Sequence, residues 1–217
     1  MVVLIWSGLE FHLRTAFVTV QEDSIQNLSN LSRAFEEHLI RTLNAADHTL
    51  QIARNAYERE PETFDLGLWS QAEHALEGPT FQIVIIGPNG FMKASTDTHQ
   101  STPLDLSDRE HFRIHVDETE DRLFVSKPLI GRVTGRATIQ LSRRVATRTG
   151  GFGGVILISV DPSNFTKFYD AIDIGRDGII RVVGTDGTIR AVGRQKGNDI
   201  DYLGKAWSAA HCSRAPS

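Results

Sequence analysis

The sequence predicts an α+β domain: a long N-terminal helix laid on an antiparallel five-stranded sheet, with short helices set apart from the strands. Three observations carry this. An apolar stripe, with steps of three or four from Leu28 onward, runs through residues 17–59. From residue 81 the period shortens to β-type runs separated by Gly-containing turns. Finally, two strand–turn–strand units stand about one hundred residues apart, around Asn89-Gly90 and Asp186-Gly187.

The stripe consists of Phe17, Val20, Ile25, Leu28, Leu31, Phe35, Leu39, Leu43, Ala46, Leu50, Ala53 and Tyr57. From Leu28 onward the steps keep one face of a helix apolar. Neither Gly nor Pro interrupts residues 9–60, and Pro61 biases Glu60 out of helical geometry. Forty residues at 1.5 Å each give a rod of roughly 60 Å. Such a rod is longer than a small domain can cover, so it reads as a stalk or as half of a dimer seam. The alternative is one helix lying on its own domain. Ahead of it, Val2 to Trp6 are apolar, which is too short to span a bilayer by itself. That segment reads either as an apolar helix start or as the outer end of a membrane span.

Residues 81–96 read strand, turn, strand, with Ile83 to Ile86 as a buried run and a turn at Gly87-Pro88-Asn89-Gly90. Residues 105–116 read as a short helix that Asp105 or Ser107 would cap. Strands follow at 123–129, 137–145 and 153–160, then a helix over 162–172. The hairpin at 179–193 echoes the first one and reads as the opening of a second, similar domain that the chain does not complete. The remaining tail carries no pattern.

Composition narrows the function. The chain has 217 residues, 40% of them apolar and 23% charged, enough for a packed core. A net charge of -4 without a basic cluster argues against nucleic acid as a partner. Cys212 is the single cysteine, so no intrachain disulfide can form. Eight histidines are scattered. His111 and His115 stand four apart but lack the acid of a zinc-hydrolase pattern, and neither a metal nor another cofactor is expected. No nucleophile elbow, phosphate loop or dinucleotide fingerprint is present, and a hydrolase or metal enzyme ranks last among the readings.

Several segments in order carry a resemblance: Asp105-Leu106-Ser107-Asp108-Arg109-Glu110-His111-Phe112, then Ser126-Lys127-Pro128, Gly135 to Arg144, and Gly151-Phe152-Gly153-Gly154-Val155 to Asp161. With the two hairpins, they resemble the double Cache family, the PAS-like periplasmic sensor domains of bacterial histidine kinases, diguanylate cyclases and chemoreceptors. The resemblance covers roughly residues 20–195. It implies a preceding membrane helix of which 1–16 is a remnant, a stalk at 17–60 and a membrane-distal Cache domain at 61–172. It further implies the incomplete start of a membrane-proximal domain at 173–197, followed by an irregular tail at 198–217.

The function implied is a periplasmic, non-enzymatic sensor region of an inner-membrane receptor, here a fragment without its kinase or cyclase output. Its partners would be a small anionic or zwitterionic metabolite and a second copy joined through the long helix. A ligand-free structural or dimerisation module is the alternative. The family's ligand-facing positions carry over to Arg109, His111 and Phe112, with His111 standing where Trp or Tyr is common. An arginine fork suits a carboxylate; the competing reading has Arg109 pairing with Asp105 or Asp108. Lys127 is a candidate second cation, against a solvated role. Asp161 would receive a ligand ammonium in amino-acid-binding relatives, against an N-cap role ahead of Pro162. Arg143 and Arg144 straddle a strand, and neither is expected to bind ligand.

Overall fold

The computed structural model describes residues 2–72, 82–96, 104–132, 135–167, 172, 178–194 and 203–206. The first helix, α1 (Val2–Arg59), is uninterrupted and stops at Glu60, where Pro61 dictates. The chain divides into two compact units, Met1–Asn44 and Ala45–Ser217. The first unit is helix alone. Its described apolar side chains are largely in solvent: Phe17 is 71% exposed and Leu28 60%. Val20 lies outside the described side chains. No described helix is long and apolar enough to cross a membrane.

The second unit holds the sheet. After α2 (Leu66–Ala72) come β1 (Gln82–Ile86), β2 (Met92–Ser95), α3 (Glu110–Asp117), β3 (Phe124–Val125), β4 (Leu129–Ile130), β5 (Ala137–Ala146) and β6 (Phe152–Val160). A 3-10 turn follows at Pro162–Phe165, then a separate two-stranded sheet of β7 (Ile179–Val183) and β8 (Ile189–Arg194). All ladders are antiparallel, and the main sheet runs β2-β1-β6-β5-β3, with β4 also on β5. The sheet therefore has six strands rather than five. The expected strand at 123–129 is split. Ser126 donates its N–H to Gln140 O, and Gln140 N–H in turn bonds Ser126 Oγ instead of a carbonyl (both 2.9 Å). Pro128 has no N–H to offer the ladder. So β3 pairs the far part of β5 (Ser142, Leu141) and β4 the near part (Thr138, Ala137).

Strand alternation gives the sheet two faces. One carries Ile83, Ile85, Ile139, Leu141, Val145, Ile156, Ile158 and Val160, all at most 2% exposed. Against it lies the last part of α1, where Ala46, Leu50, Ala53 and Tyr57 are buried. Ion pairs fix that seating. Arg143, on the same face, binds Asp47 through Nε (2.5 Å) and Asp121 through Nη1 (2.8 Å), and Asp121 also meets Arg54 (2.6 Å). Glu58 accepts from the Ala146 N–H (2.7 Å).

The structure departs from two of the expected elements. The short helix starts at Glu110, with Arg109 as its N-cap and no side-chain cap. Asp105 and Ser107 do not cap it. Asp105 instead pairs with Phe91 in a β-bridge, and its carboxylate accepts the Ser107 N–H (2.9 Å), closing an Asx turn ahead of the helix. Of the helix expected over 162–172, Pro162–Phe165 is a 3-10 turn, while 168–171 fall outside the described residues. Most of the 198–217 tail also lies outside them.

Candidate functional site

The second face of the sheet changes character along its strands. Register places Ile86 opposite Val155, Val84 opposite Leu157, and Gln82 opposite Ser159; Ser159 in turn faces Gln140 on β5. On β1 and β6, two apolar rows are thus followed by a polar one. Over the apolar rows sit Leu106 and Phe112, forming a core with Val84, Ile86, Val155 and Leu157. Phe112 also meets Phe152 edge-on at 5.6 Å, and the Arg144 guanidinium stacks on Phe152 at 4.9 Å.

The polar row closes on itself. Ser159 Oγ donates to Gln140 Oε1 (2.7 Å), Gln140 Nε2 to Thr138 Oγ1 (2.8 Å), and Gln82 Nε2 to Ser95 Oγ (3.0 Å). Above it is a hollow with about 400 Å³ of empty space, partly continuous with solvent. Its floor is Gln82, Val84, Thr138, Gln140, Leu157 and Ser159, and its rim includes Leu106, Arg109, His111, Leu129 and Arg132.

The rim is held by the segment leading into α3. Gly90, at φ +84°, lets the β1–β2 turn approach so closely that a Cβ there would collide with Ser107. Leu106 N–H bonds Gly90 O (2.9 Å), and Met92 N–H bonds Leu104 O (2.9 Å). On the opposite rim Arg132 forms a two-pronged pair with Asp108 (2.6 and 2.7 Å) and reaches Asp105 O (2.6 Å). Asp108 is thereby kept below the usual carboxylate range, its bond from Arg132 being the main cause. Arg109 does not pair with Asp105 or Asp108. Its contact is Nη2 to Ile130 O at 3.3 Å, and among the described residues no carboxylate lies within ion-pair distance of it. As N-cap it has extended backbone (φ −76°, ψ 140°), so its side chain leaves the helix start at an angle different from that of His111 two residues on. This lets both line one hollow.

His111 is 3% exposed, and both of its ring nitrogens are buried without a hydrogen-bond partner. Burial, with Arg109 and His115 nearby, lowers its pKa to about 4, so the ring is neutral at ordinary pH. His115 differs. Although it too is lowered to about 4 by burial, its Nε2 bonds Ser142 Oγ (2.9 Å).

The sequence-derived site residues thus separate. Arg109 and His111 line the hollow. Phe112 packs in the neighbouring apolar core. Lys127 is exposed, and Asp161 is an exposed N-cap accepting the Ser163 N–H (2.8 Å); neither is among the lining residues. Arg143 turns toward α1, and Arg144 toward α3, where it donates to His115 O (3.1 Å). Sequence reasoning missed Arg132, whose role depends on a partner 24 residues away. It also missed the Gln82–Ser159–Gln140 row, which alternation plus register would have revealed. Among the described residues no three His, Cys, Asp or Glu side chains gather as metal ligands.

No protein-family model matches the chain, and no curated protein matches it in sequence. Solved structures do share its fold. An extracellular domain described as that of a histidine kinase, rpHK1S-Z16, superposes with a TM-score of 0.69 at 23% identity, covering 82% of this chain and 71% of that one. The ligand-binding domain of the Pseudomonas fluorescens chemoreceptor CtaA, bound to L-serine, gives 0.68 at 15% identity over 91% and 82%. The ligand-binding domain of the Pseudomonas aeruginosa PAO1 amino-acid chemoreceptor PctC, bound to GABA, gives 0.55 at 17% over 80% and 75%. The α+β fold implied by the double Cache resemblance is the fold these extracellular sensor domains have.

Proposed function

We propose that the chain is the extracytoplasmic small-ligand sensor region of a transmembrane signalling receptor. The observation that carries this reading is the hollow over the polar row, rimmed by an arginine with no carboxylate partner among the described residues. A guanidinium with donors to spare in a concave site suits a carboxylate, which it can hold by two parallel bonds. The known ligand-binding domains of the same fold support the reading by analogy.

In this reading residues 61–172 are the membrane-distal domain, and 173–197 open a membrane-proximal one. Residues 1–16 are the end of a membrane-spanning helix, and α1 transmits the signal. Ligand then acts through its difference in affinity between two poses of the receptor. The kinase or cyclase output would lie outside this chain. A thermal-shift screen of the chain with organic acids and amino acids tests the reading. At saturating ligand, about 100 times Kd, stabilisation by ~2.7 kcal/mol is expected, and Arg109→Ala abolishes it. Failure of every compound to stabilise the chain would remove the sensor reading.

One observation favours a second reading. The exposed apolar side chains of α1, Phe11, Phe17, Ile25 and Leu28, suit a ligand-free dimerisation module. Light scattering separates the two. A dimer that loses assembly on Leu39→Asp, in a chain that binds nothing in the screen, supports the module.

A further inference from the structure

The hollow has an uneven chemistry that says more about its occupant, on the premise that it is a ligand site. Its lining includes two guanidinium groups, Arg109 and Arg132, and no Asp or Glu among the described residues. The nearby acids are engaged elsewhere. Asp108 is clasped by Arg132, Asp105 accepts the Ser107 N–H, and Asp161 accepts the Ser163 N–H. A ligand ammonium entering here would meet the Arg109 cation and the Arg132–Asp108 pair, with no carboxylate on the lining to receive it. Burying an unpaired charge beside like charges is costly.

The polar groups of the floor are also largely engaged: both ends of the Gln140 amide are bonded, and so is the Gln82 amide nitrogen. His111 is the exception. Its ring is almost wholly buried, it lines the hollow, and neither nitrogen has a partner. A buried polar atom left unbonded costs about 1–3 kcal/mol, and such groups call for an explanation. A neutral imidazole offers one donor and one acceptor. A hydroxyl can satisfy either nitrogen, and a carbonyl oxygen the N–H. A ligand oxygen that reaches a ring nitrogen would therefore remove the penalty, whereas an apolar group would leave it in place.

We infer that the hollow selects a small carboxylate anion bearing a hydroxyl or keto oxygen and lacking an ammonium group. Arg109 takes the carboxylate and His111 the second oxygen. The selectivity is then set by two features: the absence of an acid excludes amines, and the unbonded imidazole disfavours a bare alkyl acid.

Calorimetric titration of the full chain with matched probes tests this. L-Lactate and L-alanine differ by hydroxyl against ammonium, and L-lactate and propionate by hydroxyl against hydrogen. Pyruvate supplies the keto form. The expected result is that lactate or pyruvate binds at least about tenfold more tightly than either alanine or propionate, a difference of ~1.4 kcal/mol. His111→Leu should erase the advantage of lactate over propionate, read as the ratio of the two affinities. His111→Asn, which restores a hydrogen-bonding group, should recover part of it, and Arg109→Gln should remove binding of every acid. Circular dichroism of each variant confirms that it is folded.

Tighter binding of alanine than of lactate would overturn the inference and leave the sensor reading intact. So would hits in the broader screen without any from these oxygen-bearing acids. An unchanged lactate-to-propionate ratio in folded His111→Leu would overturn the role given to His111. Silence in both the matched series and the broad screen would end both readings.

Discussion

The two faces of the sheet are written by the same strands, yet they behave as different materials. Along β5, Ile139, Leu141 and Val145 turn to one side, while Thr138, Gln140 and Ser142 turn to the other. The α1 face is apolar apart from Arg143, which ties it to α1 through the Asp47–Arg143–Asp121–Arg54 chain of charges. On β1 and β6 the α3 face is apolar for two rows and then polar, and over its polar row the covering elements leave a hollow. One face is closed by fit, the other only half closed. A sheet with both faces sealed would be more stable and would have nowhere to put a ligand, a trade commonly found at functional sites.

This contrast can be broken at graded cost. Leu141→Ala on the sealed face should have the largest effect, destabilising by about 2–5 kcal/mol through lost burial and a residual cavity. Urea unfolding measures it as a lower midpoint at unchanged slope.

Acid should act on the other face. His111 and His115 both have folded pKa values near 4, against 6.5 in a free side chain. The unfolded chain therefore binds protons that the folded chain refuses. Stability is whole above about pH 6.5 and falls as pH drops toward 4, by up to ~3 kcal/mol per ring at 1.36 kcal/mol per unit. The charges facing these rings are Arg109, Arg132 and Asp108 for His111, and Glu118, Asp121 and Arg122 for His115. Thermal unfolding across that window should show a decline that His111→Leu makes shallower. His111→Leu should also raise stability at pH 7, which a purely structural histidine would not do.

Asp47→Ala comes next. It leaves the nearly buried Arg143 with Asp121 alone, and a loss of about 1–2 kcal/mol in chemical denaturation is expected, with ligand binding unchanged. The smallest effect belongs to the first unit. Glu10→Ala breaks an exposed pair with Arg14 and should leave the melting temperature within error, as such pairs contribute ~0–1 kcal/mol.

Sequence patterns expose local rules and hide distant bonds, and both are visible here. The end of α1 was legible because Pro61 acts on its immediate neighbour. Both hairpins were legible because turn chemistry sits within four residues. The apolar stripe of α1 was readable as a face, but not which part of it would be covered: Ala46 to Tyr57 are buried, Phe17 to Leu28 are not. The break between β3 and β4 was hidden, since it depends on the Ser126 hydroxyl taking a backbone bond from Gln140. Arg109 was legible from the motif. Its freedom from Asp108 was not, because Arg132 captures that carboxylate from across the rim. The unbonded ring of His111 could not be read at all, since periodicity places a side chain on a face without saying what that face offers it.

The proposed place of ligand entry is the polar row beneath Arg109. An amide-resolved NMR titration of the chain with the strongest hit from the organic-acid and amino-acid screen tests it most directly. Shifts should concentrate at Gln82, Gln140, Ser159, Arg109, His111 and Arg132, while Leu50, Ala53 and Ile158 stay still. Saturable shifts confined to the α1 face, or to the β7–β8 hairpin, with the polar row silent, would contradict it.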